Sequence, residues 1–161
     1  MLIEVGNPYD RAARDQFDRV CQTLGLVPIR VEISAAGGID RAIAQLVSRR
    51  AQALVLGDFA FVRDHRFEIV DAATKHGLPT MAGYPDMARE AGALISYRAS
   101  QAEVFRRRAE HIDRILRGAK PADLPVKQPT QFELVINLKT ARALGLTIPK
   151  DLLLRADEVI R

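Results

Sequence analysis

The chain has 161 residues, 48% of them hydrophobic, a formal net charge of +4 and a pI near 9.6. That suffices for one core of ordinary size and makes one domain the default, since a protein of two lobes of about 100 to 150 residues each would be far longer. No run approaches the roughly eighteen apolar residues of a membrane span, residues 1–20 lack a signal peptide's apolar centre, and a lone cysteine, Cys21, excludes an internal disulfide.

Taken in chain order, short apolar runs alternate with amphipathic stretches, the pattern of βαβ units around a parallel sheet. Strands are predicted at 2–5, 28–33, 53–56, 80–82 and 94–96, short and mostly apolar, as strands covered on both faces should be. Between them Ala13, Phe17, Val20, Cys21 and Leu24 form one helical stripe, and Ile39, Ala42, Ile43, Leu46 and Val47 a second. A third, less regular helix is predicted over 62–76, with Val70 and Ala73 inward. The dipeptide Gly-Leu recurs at Gly25-Leu26, Gly77-Leu78 and Gly145-Leu146, where glycine would take the left-handed turn that stops a helix and leucine would pack back on its last turn.

Arg98, Arg106, Arg107, Arg108, Arg114, Arg117 and Lys120 face only Glu103, Glu110 and Asp113 in the same segment, which therefore holds the whole net charge excess. Val104, Phe105, Ala109, Ile112 and Leu116 fall on one face of a helix there, so the arginines read as its solvated side and no nucleic-acid partner is expected. Residues 118–129 are rich in proline, lysine and aspartate and read as a linker. A strand over 131–137 then alternates, with Phe132, Leu134 and Ile136 on one side and Glu133, Val135 and Asn137 on the other. Asn137 would cap a helix over 138–144, and Pro149 would open a last helix over 150–159 with Asp151 near its positive end. The expectation is an α/β fold, a three-layer doubly wound parallel sheet with flavodoxin-like strand order 2-1-3-4-5, over residues 1–119, and a linker with a strand-helix extension over 120–161.

In such a sheet, ligands bind beyond the carboxyl ends of the strands, between the first and third. The loops meeting there are Gly6-Asn7-Pro8-Tyr9 and Gly57-Asp58-Phe59. Asn7 before Pro8 makes a helix start whose free amides attract an anion, and Asp58 brings a carboxylate, a pairing that suits a zwitterion such as an α-amino acid. Tyr84 and Tyr97, after the fourth strand and at the end of the fifth, would wall a ligand. Each residue also has a purely structural reading: Asn7 and Asp58 as helix caps, the tyrosines as packed edge residues, Gly57 and Gly83 as turn formers. His65, His76 and His111 have no partner at metal-ligand spacing, Cys21 lies on an apolar stripe, and no GxGxxG, P-loop or nucleophile elbow occurs. No cofactor is expected.

The segment KPADLPVKQPTQFELVINLKTARALGLTIPKDLLLRADEVI, with LVLGDFAF, KHGLPTMAGY and EAGALISY before it, resembles the second lobe and closing segment of ABC-transporter substrate-binding proteins of the TrpX-like type. The resemblance implies one lobe of a two-lobed solute-binding component of an importer. In such a protein the closing segment carries the chain back to the first lobe, and hinge closure around a small solute precedes delivery to a membrane permease. It implies further that Asn7 and Asp58 face the interlobe cleft, that Gly83 and Tyr84 match the glycine-aromatic phrase after the fourth strand, and that the protein is periplasmic; a true start at Met1 would instead leave it cytoplasmic. Tyr9 and Phe59 join the candidate ligand contacts as neighbours of Asn7 and Asp58. Two alternatives stand beside this reading. One is a small α/β enzyme with Asp58 as general acid or base. The other is an interaction module in which residues 131–161, needing an apolar surface for Phe132, Leu134 and Ile136, fold back over their own lobe or cross to a second copy in a homodimer.

Overall fold

The first five strands pair only in parallel, as the βαβ pattern requires. The computed structural model describes residues 1–4, 10–33, 36–126 and 128–161. In it β1 (Leu2–Glu4) pairs with β2 (Val31–Ile33), while β3 (Leu54–Leu56), β4 (Thr80–Ala82) and β5 (Ile95–Ala99) pair in that order. The two ladders are separate in hydrogen bonding among the described residues, but β1 lies beside β3, and Leu2 and Leu54 belong to one buried cluster. That places β1 next to β3, as the order 2-1-3-4-5 requires, but the described strands form two sheets in place of the single parallel sheet expected.

One face of these strands is packed. Leu54 and Leu56 are buried while Val55 is 38% exposed, and Thr80 and Ala82 are buried while Met81 is 40% exposed. The packed face rests on α2 (Ile39–Ser48) and α4 (Arg66–Lys75), which contribute Ile39, Ala42, Ile43 and Leu46, and Ile69, Val70, Ala72 and Ala73. The irregular third helix of the sequence resolves into two, α3 (Ala60–Asp64) and α4, with the break at His65. On α1 (Asp10–Thr23), the N-terminal helix, the apolar stripe is only partly used, with Cys21 buried and Val20 half exposed.

The three Gly-Leu dipeptides stop helices by one mechanism. Gly25, Gly77 and Gly145 have φ of 67°, 70° and 66°. In each case the following leucine N–H returns to a carbonyl of the last turn, Leu26 to Cys21, Leu78 to Ala73 and Leu146 to Ala141, all at 2.8 Å. Leu78 alone of the three leucines is buried. Arg50, after α2, adopts the same left-handed conformation at φ 62° without being glycine, and Ala51 N–H bonds Leu46 O at 3.0 Å.

The chain then leaves the sheet in α6 (Gln101–Leu116), the helix that follows β5, and returns through residues 117–131. β6 (Phe132–Asn137) pairs antiparallel with β5, from Ile95 opposite Ile136 to Ala99 opposite Phe132. The tail thus folds back onto its own lobe. Burial along β6 follows position and not the expected alternation: Val135 and Ile136 are both fully buried, while Phe132 is 49% exposed. The reason is that the end of β6 lies between β5 and the last strand and under α5 (Pro85–Arg89), whereas its start is paired on one side only, by β5. After α7 (Leu138–Ala143), the last helix predicted over 150–159 is cut short. α8 spans Lys150–Leu154, and β7 (Glu158–Ile160) pairs in parallel with β6. Asp157 N–H bonds Leu134 O at 2.9 Å and the Asp157 carboxylate accepts from Leu134 N–H at 2.8 Å, so the open edge of β6 captures a segment whose local pattern favours helix. Arg89 of α5 binds Glu133 and Glu158, tying α5 to both tail strands.

Candidate ligand-binding site

The register of the parallel strands sets three side chains level with one another. Leu56 lies opposite Ala82, and Ala82 opposite Ser96. Two residues farther along the chain come Asp58 and Tyr84, just past the ends of β3 and β4, and Arg98, still within β5. These three meet. The Tyr84 hydroxyl donates to the Asp58 carboxylate, and that bond, with partial burial and the Asp58 charge, raises the phenol pKa against the opposing pull of Arg98 and Arg63. The Arg98 guanidinium lies 4.3 Å from the Tyr84 ring centroid, and that of Arg63, from α3, lies 5.7 Å away. Arg98 is held in turn by Gln101, whose amide oxygen, oriented to satisfy both groups, accepts from Nη1 and Nη2 at 3.2 Å each.

Phe59 is partly buried against the core and folds over Gly57. A Cβ on Gly57 would stand 2.3 Å from the Phe59 ring, so glycine is needed there for the ring's approach. Asp58 and Phe59, with Phe17 and Val20 of α1, line a cleft of about 340 Å³, and a second cavity of about 230 Å³ opens beside Tyr84, Arg63 and Asp86. Of the sequence candidates, Asp58 and Tyr84 are brought into contact and Phe59 lies beside them. Asn7 and Tyr9, like the rest of that first loop, fall outside the described residues. Tyr97 turns away and stacks on Phe132 with ring centroids 5.4 Å apart. Arg98 was counted only as part of a basic helix, although its offset from Ser96, the last residue of β5 paired with β4, equals that of Tyr84 from Ala82 and of Asp58 from Leu56.

A buried carboxylate fixes the base of α6. Where the chain leaves and re-enters the sheet, Ser100 N–H bonds Gln131 O at 2.9 Å. Glu103, 3% exposed, accepts from Gln131 N–H at 2.9 Å, Thr130 N–H at 3.2 Å, Thr130 Oγ1 at 2.9 Å, and Arg107. The Gln131 amide first, then Thr130 and Arg107, lower the Glu103 pKa to about 2 against the effect of desolvation. Arg107 also donates to Gln128 O at 2.8 Å, so it belongs to this clasp and not to a solvated face. Beyond the clasp the expected burial of the apolar stripe does not occur: Phe105 is 60%, Ile112 57% and Leu116 81% exposed. A groove of about 650 Å³ runs between α6 and Pro125, Val126 and Pro129.

The model of the ABC transporter substrate binding protein family matches residues 11–160. The chain belongs to that family. Its fold agrees with solved structures of low identity. One is an ABC domain in complex with L-Trp from Streptococcus pneumoniae (24% identity, 99% of this chain and 55% of that one, TM-score 0.82). Another is a conserved domain protein from Vibrio cholerae O1 biovar El Tor (20%, 98% and 53%, TM-score 0.84). A third is the ligand-free, open structure of a substrate binding protein with adhesive properties from Clostridium difficile (17%, 99% and 52%, TM-score 0.78). The chain thus spans about half the length of these structures. Among curated proteins nothing matches it.

Membership of the ABC transporter substrate binding protein family decides one alternative. The family is one of binding proteins and not of enzymes, so the reading of Asp58 as a general acid or base falls. Proteins of this family are typically extracytoplasmic, with a small-molecule ligand and a transporter partner. No helix among the described residues is long and apolar enough to cross a membrane, and no group of acidic, histidine or cysteine side chains among them could hold a metal ion.

Proposed function

We propose that this chain is one lobe of a two-lobed solute-binding component of an ABC importer, working outside the cytoplasm, in the periplasm. Residues 1–119 form the solute-binding lobe, and residues 120–161 are the linker and return segment. The solute is small and zwitterionic or acidic, an amino acid or similar organic acid, held by Asp58, Phe59 and Tyr84 with Asn7 and Tyr9 from the neighbouring loop. The observation that carries this reading is the bonded pair of Asp58 and Tyr84 at the carboxyl ends of adjacent parallel strands, in a chain of a substrate-binding family. The bare apolar face of α6 supports a second lobe as its cover, since a helix with Phe105, Ile112 and Leu116 exposed requires a partner surface. Closure of the lobes around the solute would present the complex to the permease.

Calorimetry with a panel of L-amino acids and small organic acids, on this chain and on a two-lobed protein containing it, tests the reading. The two-lobed form should bind at least one of them, and Asp58→Asn should weaken it. Binding of none refutes the solute class. The same exposed face of α6 also supports a homodimer as the runner-up, and light scattering that shows a dimer in place of a monomer would move the cover of α6 from a second lobe to a second copy.

A further inference from the structure

We propose that Arg98 is a specificity-determining residue of the crevice, the seat for a carboxylate of the solute. This rests on the reading of the crevice as a solute site and names the group that the solute must carry.

Three features of Arg98 point to an anion. The first is its place: it follows Ser96 by the same two residues by which Asp58 and Tyr84 follow Leu56 and Ala82, the paired ends of the neighbouring strands, and it lies against the Tyr84 ring. The second is its rigidity. Its guanidinium is stacked at 4.3 Å on Tyr84 and held at two nitrogens by Gln101, so the long side chain has little orientational freedom left to lose on binding. The third is its charge. Gln101 and the Tyr84 ring are both neutral, and among the described residues neither Arg98 nor Arg63 forms an ion pair, while Asp58 is engaged by the Tyr84 hydroxyl. Two cations thus flank one ring, and among the described residues neither Asp58 nor Asp86, the carboxylates beside that ring, forms an ion pair with them. A planar, fixed guanidinium matches the two oxygens of a carboxylate, and a salt bridge to it would meet little competition from within the chain. Gln101 acts here as a positioning residue and Arg63 as the outer cation.

The test uses the full chain and two oxyanions. The arginine Nε–H signals are followed by NMR during titration with sodium acetate, with inorganic phosphate, and with sodium chloride at matched ionic strength, beside the calorimetric panel of L-amino acids. Acetate should shift the Arg98 signal saturably and move the Tyr84 ring signals with it. Arg98→Gln should weaken acetate binding at least about tenfold, as should the loss of one charge-assisted bidentate contact in general. Arg98→Lys, which keeps charge but not the fork, should fall between, while Arg106→Gln on α6 should bind as wild type does. Acetate acting no more strongly than chloride, phosphate saturating where acetate does not, or equal binding by Arg98→Gln overturns the proposal. A panel amino acid that binds wild type and Arg98→Gln alike leaves the solute reading standing and removes the seat. Loss of acetate binding in Arg98→Gln with no panel member bound keeps the seat and removes the amino-acid reading.

Discussion

Replacing Asn137 by alanine should detach the tail helix from the lobe at one buried point. Asn137 is 5% exposed and its side chain does two things. Its Oδ1 accepts from Lys139 N–H at 3.0 Å and Thr140 N–H at 3.2 Å, capping α7, and its Nδ2 donates to Ala88 O in α5 at 3.0 Å. Loss of an N-cap costs about 1 kcal/mol. An Ala88 carbonyl left without its partner in a buried setting adds about 1 to 3 kcal/mol. The sum is about 2 to 4 kcal/mol, which for a chain of this size lowers the thermal midpoint by roughly 5 to 15 °C. Urea denaturation followed by circular dichroism, with the m-value unchanged, measures it. Asn137→Ser keeps a capping oxygen but cannot reach Ala88, so it should lose about the second part alone. An Asn137→Ala protein within about 0.5 kcal/mol of wild type would refute the assignment of both bonds, since that is the spread of neutral surface changes.

Other perturbations have equally defined signs. The Glu103 pKa near 2, against 4.5 for an unperturbed carboxyl, means that the clasp is fully charged above about 4.5 and is lost as pH falls toward 2. The stability gap between wild type and Glu103→Gln should therefore be constant from neutral pH to about 4.5 and close below it; a gap independent of pH down to 2 would contradict the charged clasp. Arg50→Gly should raise stability by up to about 1 kcal/mol in the same urea assay, because a residue with a Cβ is strained at φ 62°. Ser96→Ala should be stabilising by about 1 kcal/mol, because the Ser96 hydroxyl is fully buried with no hydrogen-bond partner; a loss of stability would reveal one.

What could be read in the sequence was whatever rests on neighbouring residues. The strand at Thr80–Ala82, the glycine stops at Gly25, Gly77 and Gly145, and the Asn137 cap all follow from local chemistry and recur in the structure. The helix expected over 150–159 did not, because Leu152 to Leu154 favour helix locally while β6 offers a hydrogen-bonding edge that no local pattern contains. The stripe on α6 was legible as apolar, but its lack of cover depends on what else is present in space. At the candidate site, Asp58 and Tyr84 were nominated singly and their contact came only with the β3–β4 register. Arg98 was hidden among the arginines of the following segment, and its place beside Tyr84 follows only from the parallel register, which ends at Leu56, Ala82 and Ser96.

The antiparallel course of β6 has a consequence for how the protein is made. β5 and β6 are adjacent in space, yet an excursion of more than thirty residues separates them in the chain, and Val135 and Ile136 are among its most deeply buried side chains. During synthesis the edge of β5 must therefore wait, unpaired, while α6 and the linker emerge from the ribosome, and β7 cannot form until β6 has docked. The nascent lobe exposes a bare sheet edge for that interval, which makes its last steps of folding slow relative to the helices and dependent on protection from pairing with other chains.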